Sequence, residues 1–219
     1  MDRRTFISAS LAATAAVAGS ILADGLPLPV TSAQARSEGE RKKMKILVLT
    51  GSPRKNSNSG TLAGAFIKGA REAGHEVVRF DAAAGNVHAC VACNSCGMDG
   101  PCVFADDFET VREHIIPADM VVFATPMYYF GMSSQLKAVI DRFYAINSKI
   151  HVSKKAVLLM TYANTSPRDA SPMLTHYEVL LDYLGWQDAG RVVASGVWPA
   201  GAIKNTSFPE QAYQLGKRL

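Results

Sequence analysis

The chain has 219 residues, 48% hydrophobic and 19% charged, with a formal net charge of +4. That is apolar material for a packed domain, and the lysines and arginines are scattered rather than set in a stripe with interleaved aromatics, which argues against nucleic-acid binding. The one basic cluster, Arg41-Lys42-Lys43, reads as a solvated linker rather than a membrane or phosphate patch.

In chain order, Arg3-Arg4-Thr5-Phe6-Ile7 comes first, followed by an uncharged, alanine-rich run from Ser8 to Ala23 that is too short to span a bilayer with margin. Ala33-Gln34-Ala35 then offers small residues at alternate positions, as signal peptidase requires, after a proline-containing stretch that breaks any helix. The pattern predicts a signal peptide over 1–35 and a linker over 36–44; an uncleaved run would instead leave a membrane anchor. Arg-Arg-x-Phe-Ile resembles the twin-arginine signal, which implies periplasmic export of an already folded chain, and therefore a cofactor inserted before export.

The domain proper is expected over 45–219. Lys45 to Thr50 is a continuous apolar run, as a strand buried on both faces requires. Ser59 to Ala73 carries Leu62, Phe66, Ala70 and Ala73 at helical spacing and ends at Gly74. Glu76 to Phe80 reads as the second strand, and Asp106-Asp107-Phe108-Glu109 as a D-x-x-E capped helix start with Phe108, Val111 and Ile115 on one face. Met120 to Thr125 is the third strand, Ser133 to Tyr144 a helix, and Lys155 to Thr161 the fourth strand. Ser171-Pro172 is the expected N-cap and first turn of a helix ending at Gly185, before a fifth strand over Arg191 to Val197. Strands alternating with helices predict one α/β domain, a doubly wound parallel sheet in three layers, with ligands at the carboxyl ends of the strands.

The loop after the first strand, Gly51 to Gly60, is polar and enters a helix N-terminus, where free N–H groups and the helix dipole favour an anion. Ser52, Asn58 and Ser59 offer donors to a phosphate and Arg54 a charged fork. The loop is neither a dinucleotide fingerprint nor a P-loop, and Asn and Ser acting only as caps remains the alternative. After the third strand, Pro126-Met127-Tyr128-Tyr129-Phe130-Gly131 offers an aromatic wall and backbone groups to a planar ring, or else an oligomer interface.

All four cysteines lie in one run, Cys90-x-x-Cys93-x-x-Cys96-x5-Cys102. Thiolates so spaced suit a 4Fe-4S cluster, and a compact run fits zinc less well, since zinc sites favour two separated pairs. Disulfides or redox thiols are compatible with an exported chain and stay open. The histidines form no triad, and no catalytic acid or base is expected.

The loop Gly-Ser-Pro-Arg-x-Asn-Ser-Asn-Ser after a strand, together with the stretch from Thr125 through Asp141-Arg142-Phe143, resembles the NADPH-dependent FMN reductase and iron-sulfur flavoprotein family over about 44–197. The resemblance implies a flavodoxin-like sheet of order 2-1-3-4-5 and an FMN-dependent oxidoreductase or electron-transfer flavoprotein. It also implies a 4Fe-4S cluster on the cysteines that passes electrons to FMN, NAD(P)H or a reduced carrier as donor, a partner protein or small molecule as acceptor, and a homo-oligomer, dimer or tetramer. The alternatives are a cluster-free NAD(P)H-dependent FMN or quinone reductase and a non-catalytic carrier.

Overall fold

The computed structural model describes residues 42–219, so the predicted signal peptide and most of the predicted linker lie outside the described residues. The apolar run Lys45–Thr50 is strand β1, followed by helix α1 (Asn58–Glu72), β2 (Glu76–Asp81), α2 (Phe108–Ile115) and β3 (Met120–Tyr128). The short strand β4 (Gly131–Met132), α3 (Ser134–Asp141), a 3-10 turn over 142–146, α4 (Asn147–Ile150), β5 (Lys155–Thr161), α5 (Pro167–Leu184), β6 (Gln187–Ala194) and α6 (Phe208–Lys217) complete the domain. The sheet runs β2-β1-β3-β5-β6 with every pair on that path parallel, the expected order, and β4 folds back antiparallel on β3.

Strand alternation sorts the core into two layers. Leu47 and Leu49 of β1, Val121 and Phe123 of β3, and Leu158 and Met160 of β5 face α2, α3 and α5. Their neighbours Ile46, Val48, Met120, Val122, Val157 and Leu159 face α1 and α6. Each fully buried Leu or Val here contributes about 1.5–3 kcal/mol, which fixes register, because a slip by one residue would exchange the two faces.

Helix α6 was not anticipated, and it packs on α1 through two small residues. A Cβ at Gly69 would collide with the Tyr213 carbonyl oxygen, and one at Gly216 with that of Phe66. Two bulky helices could not approach so closely.

Three boundaries differ from expectation. Helix α5 starts at Ser166-Pro167, and Pro172 sits inside it. The Arg168 carbonyl that Pro172 has no N–H to meet accepts from Ser171 Oγ at 2.8 Å instead, so the second Ser-Pro pair is tolerated rather than used as a start. Strand β6 begins at Gln187 because pairing with β5, from Lys155 opposite Gln187 to Thr161 opposite Ala194, sets its register. The expected D-x-x-E cap does not form: Asp107 occupies the N-cap but its carboxylate accepts from Asn86 N–H at 2.7 Å instead of from the helix, Glu109 pairs with Arg112 at 3.4 Å, and Asp106 turns to a buried arginine. No helix among the described residues is long and apolar enough to cross a membrane.

Candidate functional site

The strand order reverses between β1 and β3, and the loops leaving these strands are locked together there. Gly51 N–H donates to the Ala124 carbonyl at 2.9 Å, and Ser133 Oγ donates to the Gly51 carbonyl at 2.6 Å. Ser133 N–H in turn donates to Thr125 Oγ1 at 3.1 Å. A Cβ at Gly51 would lie 2.5 Å from Ser133 Oγ and 2.6 Å from Leu136 Cβ, so glycine is required for the two loops to meet.

Beyond Gly51 the loop rises to α1, whose N-cap Ser57 accepts from Gly60 N–H at 3.0 Å. The cleft beside it, about 330 Å³, is lined by Ser52, Arg54, Lys55, Arg79 and Lys204, with Asp81 opposing them, so its balance is cationic. The four predicted phosphate ligands have different fates. Ser52 lines this cleft, its Oγ accepting from Arg54 N–H at 3.4 Å. Ser59 is buried at 1% exposure, and its hydroxyl has no hydrogen-bond partner among the described residues. Arg54 Nη1 donates to the Trp198 carbonyl at 3.1 Å, which leaves the rest of its fork for an anion. Asn58 is fully engaged elsewhere: its amide donates to the Val197 and Pro199 carbonyls at 3.0 and 2.9 Å and accepts from Ile203 N–H at 3.3 Å. It ties α1 to the segment after β6, a long-range role that the local sequence does not signal.

The aromatic loop is a hairpin. Met127 faces Met132 and Tyr128 faces Gly131, so Tyr129 and Phe130 are the two central residues, with φ of 45° and 66°. A two-residue turn with both φ positive normally carries Asn-Gly, and two bulky aromatics there store backbone strain. Tyr129 is fully exposed and Phe130 half-exposed, while Pro126 still pairs with Thr161 of β5. The hairpin thus projects Tyr128 to Gly131 off the carboxyl edge of the sheet. The loop after β5 is held against the end of β6, with Tyr162 N–H on the Ala194 carbonyl at 2.9 Å and Gly196 N–H on the Asn164 carbonyl at 2.9 Å.

The four cysteines occupy the long connection between β2 and α2. All are free thiols, Cys90 and Cys93 exposed and Cys96 and Cys102 half-buried. They line one small cavity of about 20 Å³ together with Arg142 and Tyr144. Among the described residues no three His, Cys, Asp or Glu side chains converge closely enough to hold a single ion, although all four cysteines line the same small cavity. Ala92, Asn94, Gly97 and Met98 have positive φ within this run. The N–H groups of Gly97, Asp99 and Gly100 donate to the carbonyls of Asn94 and Cys96 at 2.6–3.1 Å, so the run is folded into tight turns. The Ser95 hydroxyl and then its backbone N–H hold the Cys93 thiol below the usual thiol range. The run docks on α4 through Asn147 N–H to the Met98 carbonyl at 2.9 Å and Ser148 N–H to Asp99 Oδ1 at 3.0 Å.

Arg142 is a site residue that residue-level reading missed, although it lies in the quoted Asp-Arg-Phe stretch. It is 1% exposed and forms a 2.8 Å ion pair with the equally buried Asp106. Burial pushes the Asp106 carboxyl up, but the Arg142 guanidinium and the N–H groups of His88 and Phe108 outweigh it and hold its pKa below the ordinary value. An acidic residue just before a helix, paired with an arginine far along the chain, was the available signal.

Comparison with known proteins accords with this arrangement. Residues 44–199 match the family model of the NADPH-dependent FMN reductases. An iron-sulfur flavoprotein of Archaeoglobus fulgidus is 27% identical over 80% of this chain and 79% of its own length. An iron-sulfur flavoprotein of Methanosarcina thermophila is 34% identical over 52% of this chain and 60% of its own. Among solved structures, an NAD(P)H:quinone oxidoreductase from Methanothermobacter marburgensis superposes with a TM-score of 0.67 at 20% identity, covering 81% of this chain and 96% of that one, a likeness of fold.

Proposed function

The chain belongs to the NADPH-dependent FMN reductase family, and from that premise we propose that it is an FMN-dependent oxidoreductase in which a 4Fe-4S cluster on Cys90, Cys93, Cys96 and Cys102 exchanges electrons with the flavin. The FMN phosphate lies at the start of α1, taking donors from the backbone N–H groups, Ser52, Ser59 and Arg54. The ring lies against Pro126 to Gly131. Ser59 does not line the cleft, but its buried hydroxyl lacks a partner among the described residues, a cost that a ligand oxygen reaching it would relieve. The clamp of Ser133 on Gly51 keeps the two loops at a fixed spacing, so phosphate and ring ends are held by one rigid unit.

When bound, FMN supplies one- or two-electron chemistry and the cluster single-electron transfer, while the protein supplies binding and environment. The observation that carries the cluster is that four soft thiol donors from one compact loop line one cavity. A cubane takes one thiolate per iron, so its four ligands need not converge on a single ion. That space, about 20 Å³, has room for little more than one water, so cluster binding requires the exposed pair Cys90 and Cys93 to move outward. The same small cavity favours a second reading, an NAD(P)H-dependent FMN or quinone reductase in which the cysteines stay thiols.

Export by the twin-arginine route would separate the mature chain from the cytoplasmic NAD(P)H pool, and the donor in the two-cofactor reading is then a reduced carrier, the acceptor a partner protein or a small molecule. The exposed Tyr128, Tyr129 and Phe130 also suit contact with a second copy in a homo-oligomer. The test is the visible spectrum of anaerobically purified protein, with FMN, iron and acid-labile sulfide measured on one sample. Flavin bands with about four irons per chain support the two-cofactor reading. Flavin without iron supports the reductase alone, absence of flavin refutes both, and sustained turnover with NADPH as sole donor refutes the reduced carrier.

A further inference from the structure

We propose that Arg142 is the positioning residue of the cysteine loop, a single guanidinium that staples the loop's two stems and presents it as a metal site; this rests on the cluster reading above. Its Nη1 donates to the His88 carbonyl at 2.9 Å and to Asp106 Oδ2 at 2.8 Å, and its Nη2 to the Phe104 carbonyl at 3.3 Å. His88 lies two residues before Cys90 and Phe104 two residues after Cys102. The guanidinium also lies over the Phe104 and Phe108 rings, 5.3 and 4.9 Å from their centroids. Asp106 repeats the bridge from the other side by accepting from His88 N–H at 2.9 Å and Phe108 N–H at 3.1 Å. The His88 and Phe104 rings stack at 4.9 Å with 8° between planes, closing the stems on each other.

A buried charge at the end of α3 is not what packing asks for, since an apolar residue of similar volume fills such a place at lower cost. The contacts explain its presence. Only a planar fork with several fixed donors reaches two carbonyls and a carboxylate at once; an ammonium is a point charge and does not. Arg142 lines the cavity shared by all four cysteines, and its Nε has no partner among the described residues. On this proposal the spare Nε–H turns to a cluster sulfur when the site is loaded, and hydrogen bonds to the sulfurs tune cluster potential.

The experiment compares wild type, Arg142→Lys and Asp106→Asn, each as the full chain expressed with iron and sulfide and purified anaerobically. Four quantities are read: FMN per chain, iron per chain, amide deuterium exchange over residues 88–104, and the cluster midpoint potential. Both variants are expected to hold FMN as wild type does, because none of the hydrogen bonds and ring contacts of Arg142 reaches the flavin loops. Both should lose at least half of the iron and exchange the 88–104 amides at least tenfold faster. The cluster that remains in Arg142→Lys should titrate at a lower potential, a change that general loss of packing would not produce. Wild-type iron content and exchange in Arg142→Lys would overturn the proposal, as would loss of FMN in both variants, which would make the pair part of the general core. If wild type itself binds no iron, the cluster reading fails, while faster exchange in the variants would still establish the staple.

Discussion

Replacing the turn Tyr129-Phe130 by Asn-Gly is expected to make the protein more stable and a poorer flavin binder. Both aromatics hold left-handed backbone, at φ of 45° and 66°, which costs about 1–2 kcal/mol per residue for side chains other than glycine or asparagine. Relief is therefore about 2–4 kcal/mol. Tyr129 is fully exposed, so its removal sacrifices no buried surface within the chain. Phe130 is half-exposed, and about 1 kcal/mol of burial is lost with it. Glycine adds about 0.5–1 kcal/mol of ordering entropy. The balance is a gain of about 1 kcal/mol, or about 2–4 °C in Tm for a domain of this size. If the rings wall the flavin, their loss should weaken FMN binding about tenfold, near the upper end of what an aromatic contact contributes. Thermal unfolding of the flavin-free protein and fluorescence titration with FMN measure the two effects separately. A flavin-free variant less stable than wild type would refute the strain argument. Unchanged FMN affinity accompanied by dissociation into monomers would assign the rings to a subunit interface instead.

Three further outcomes are expected. Ser59→Ala should make the flavin-free protein about 1 kcal/mol more stable, since it removes a buried hydroxyl that has no partner among the described residues, yet weaken FMN about tenfold and riboflavin not at all, as thermal unfolding and isothermal titration would show. Asp106 has a folded pKa below its ordinary 3.8, so its contribution to stability is complete above that value and is lost as pH falls through the depressed one. Acid unfolding monitored by exchange at 88–104 should show this step below about pH 4, and Asp106→Asn should remove it. Arg3→Lys with Arg4→Lys should retain the chain in the cytoplasm in a fractionation assay, while export unaltered by the pair would refute the twin-arginine reading.

The sheet was legible because its strands are buried on both faces and so read as unbroken apolar runs: Ile46 to Leu49 and Ala156 to Met160 allow hardly any other interpretation. Positions set by distant partners were not legible. Two Ser-Pro pairs five residues apart carry the same local signal, and only the packing of α5 chooses Ser166-Pro167. Helix α6 is short but amphipathic, burying Ala212, Leu215 and Gly216, so its existence was legible in its own periodicity; what was not legible is the close glycine contact that seats it on α1. The candidate site divides in the same way. Ser52 and the Tyr128–Gly131 stretch lie on the loops that leave β1 and β3, whereas Ser59 is buried within α1, and Asn58 looks locally like a phosphate donor and is claimed by carbonyls 139 and 141 residues away.

Asp106 shows why such errors cluster where function is expected. Its sequence context, two acids before an apolar helix face, is that of a cap, and a cap contributes about 1 kcal/mol. The structure gives it a partner worth more: truncating one member of a buried ion pair costs about 3–5 kcal/mol, because the other charge is left stranded. Local propensity yields wherever a larger non-local term competes for the same side chain, and here that term crosses from α3 to the stems of the cysteine loop. A segment with no regular structure, three non-glycine residues at positive φ and half its thiols exposed has little local reason to hold one shape. Its stems are joined by the Arg142–Asp106 pair and its middle docks on α4, and the pair is the part of the cysteine site that a search for cysteine spacing alone cannot find.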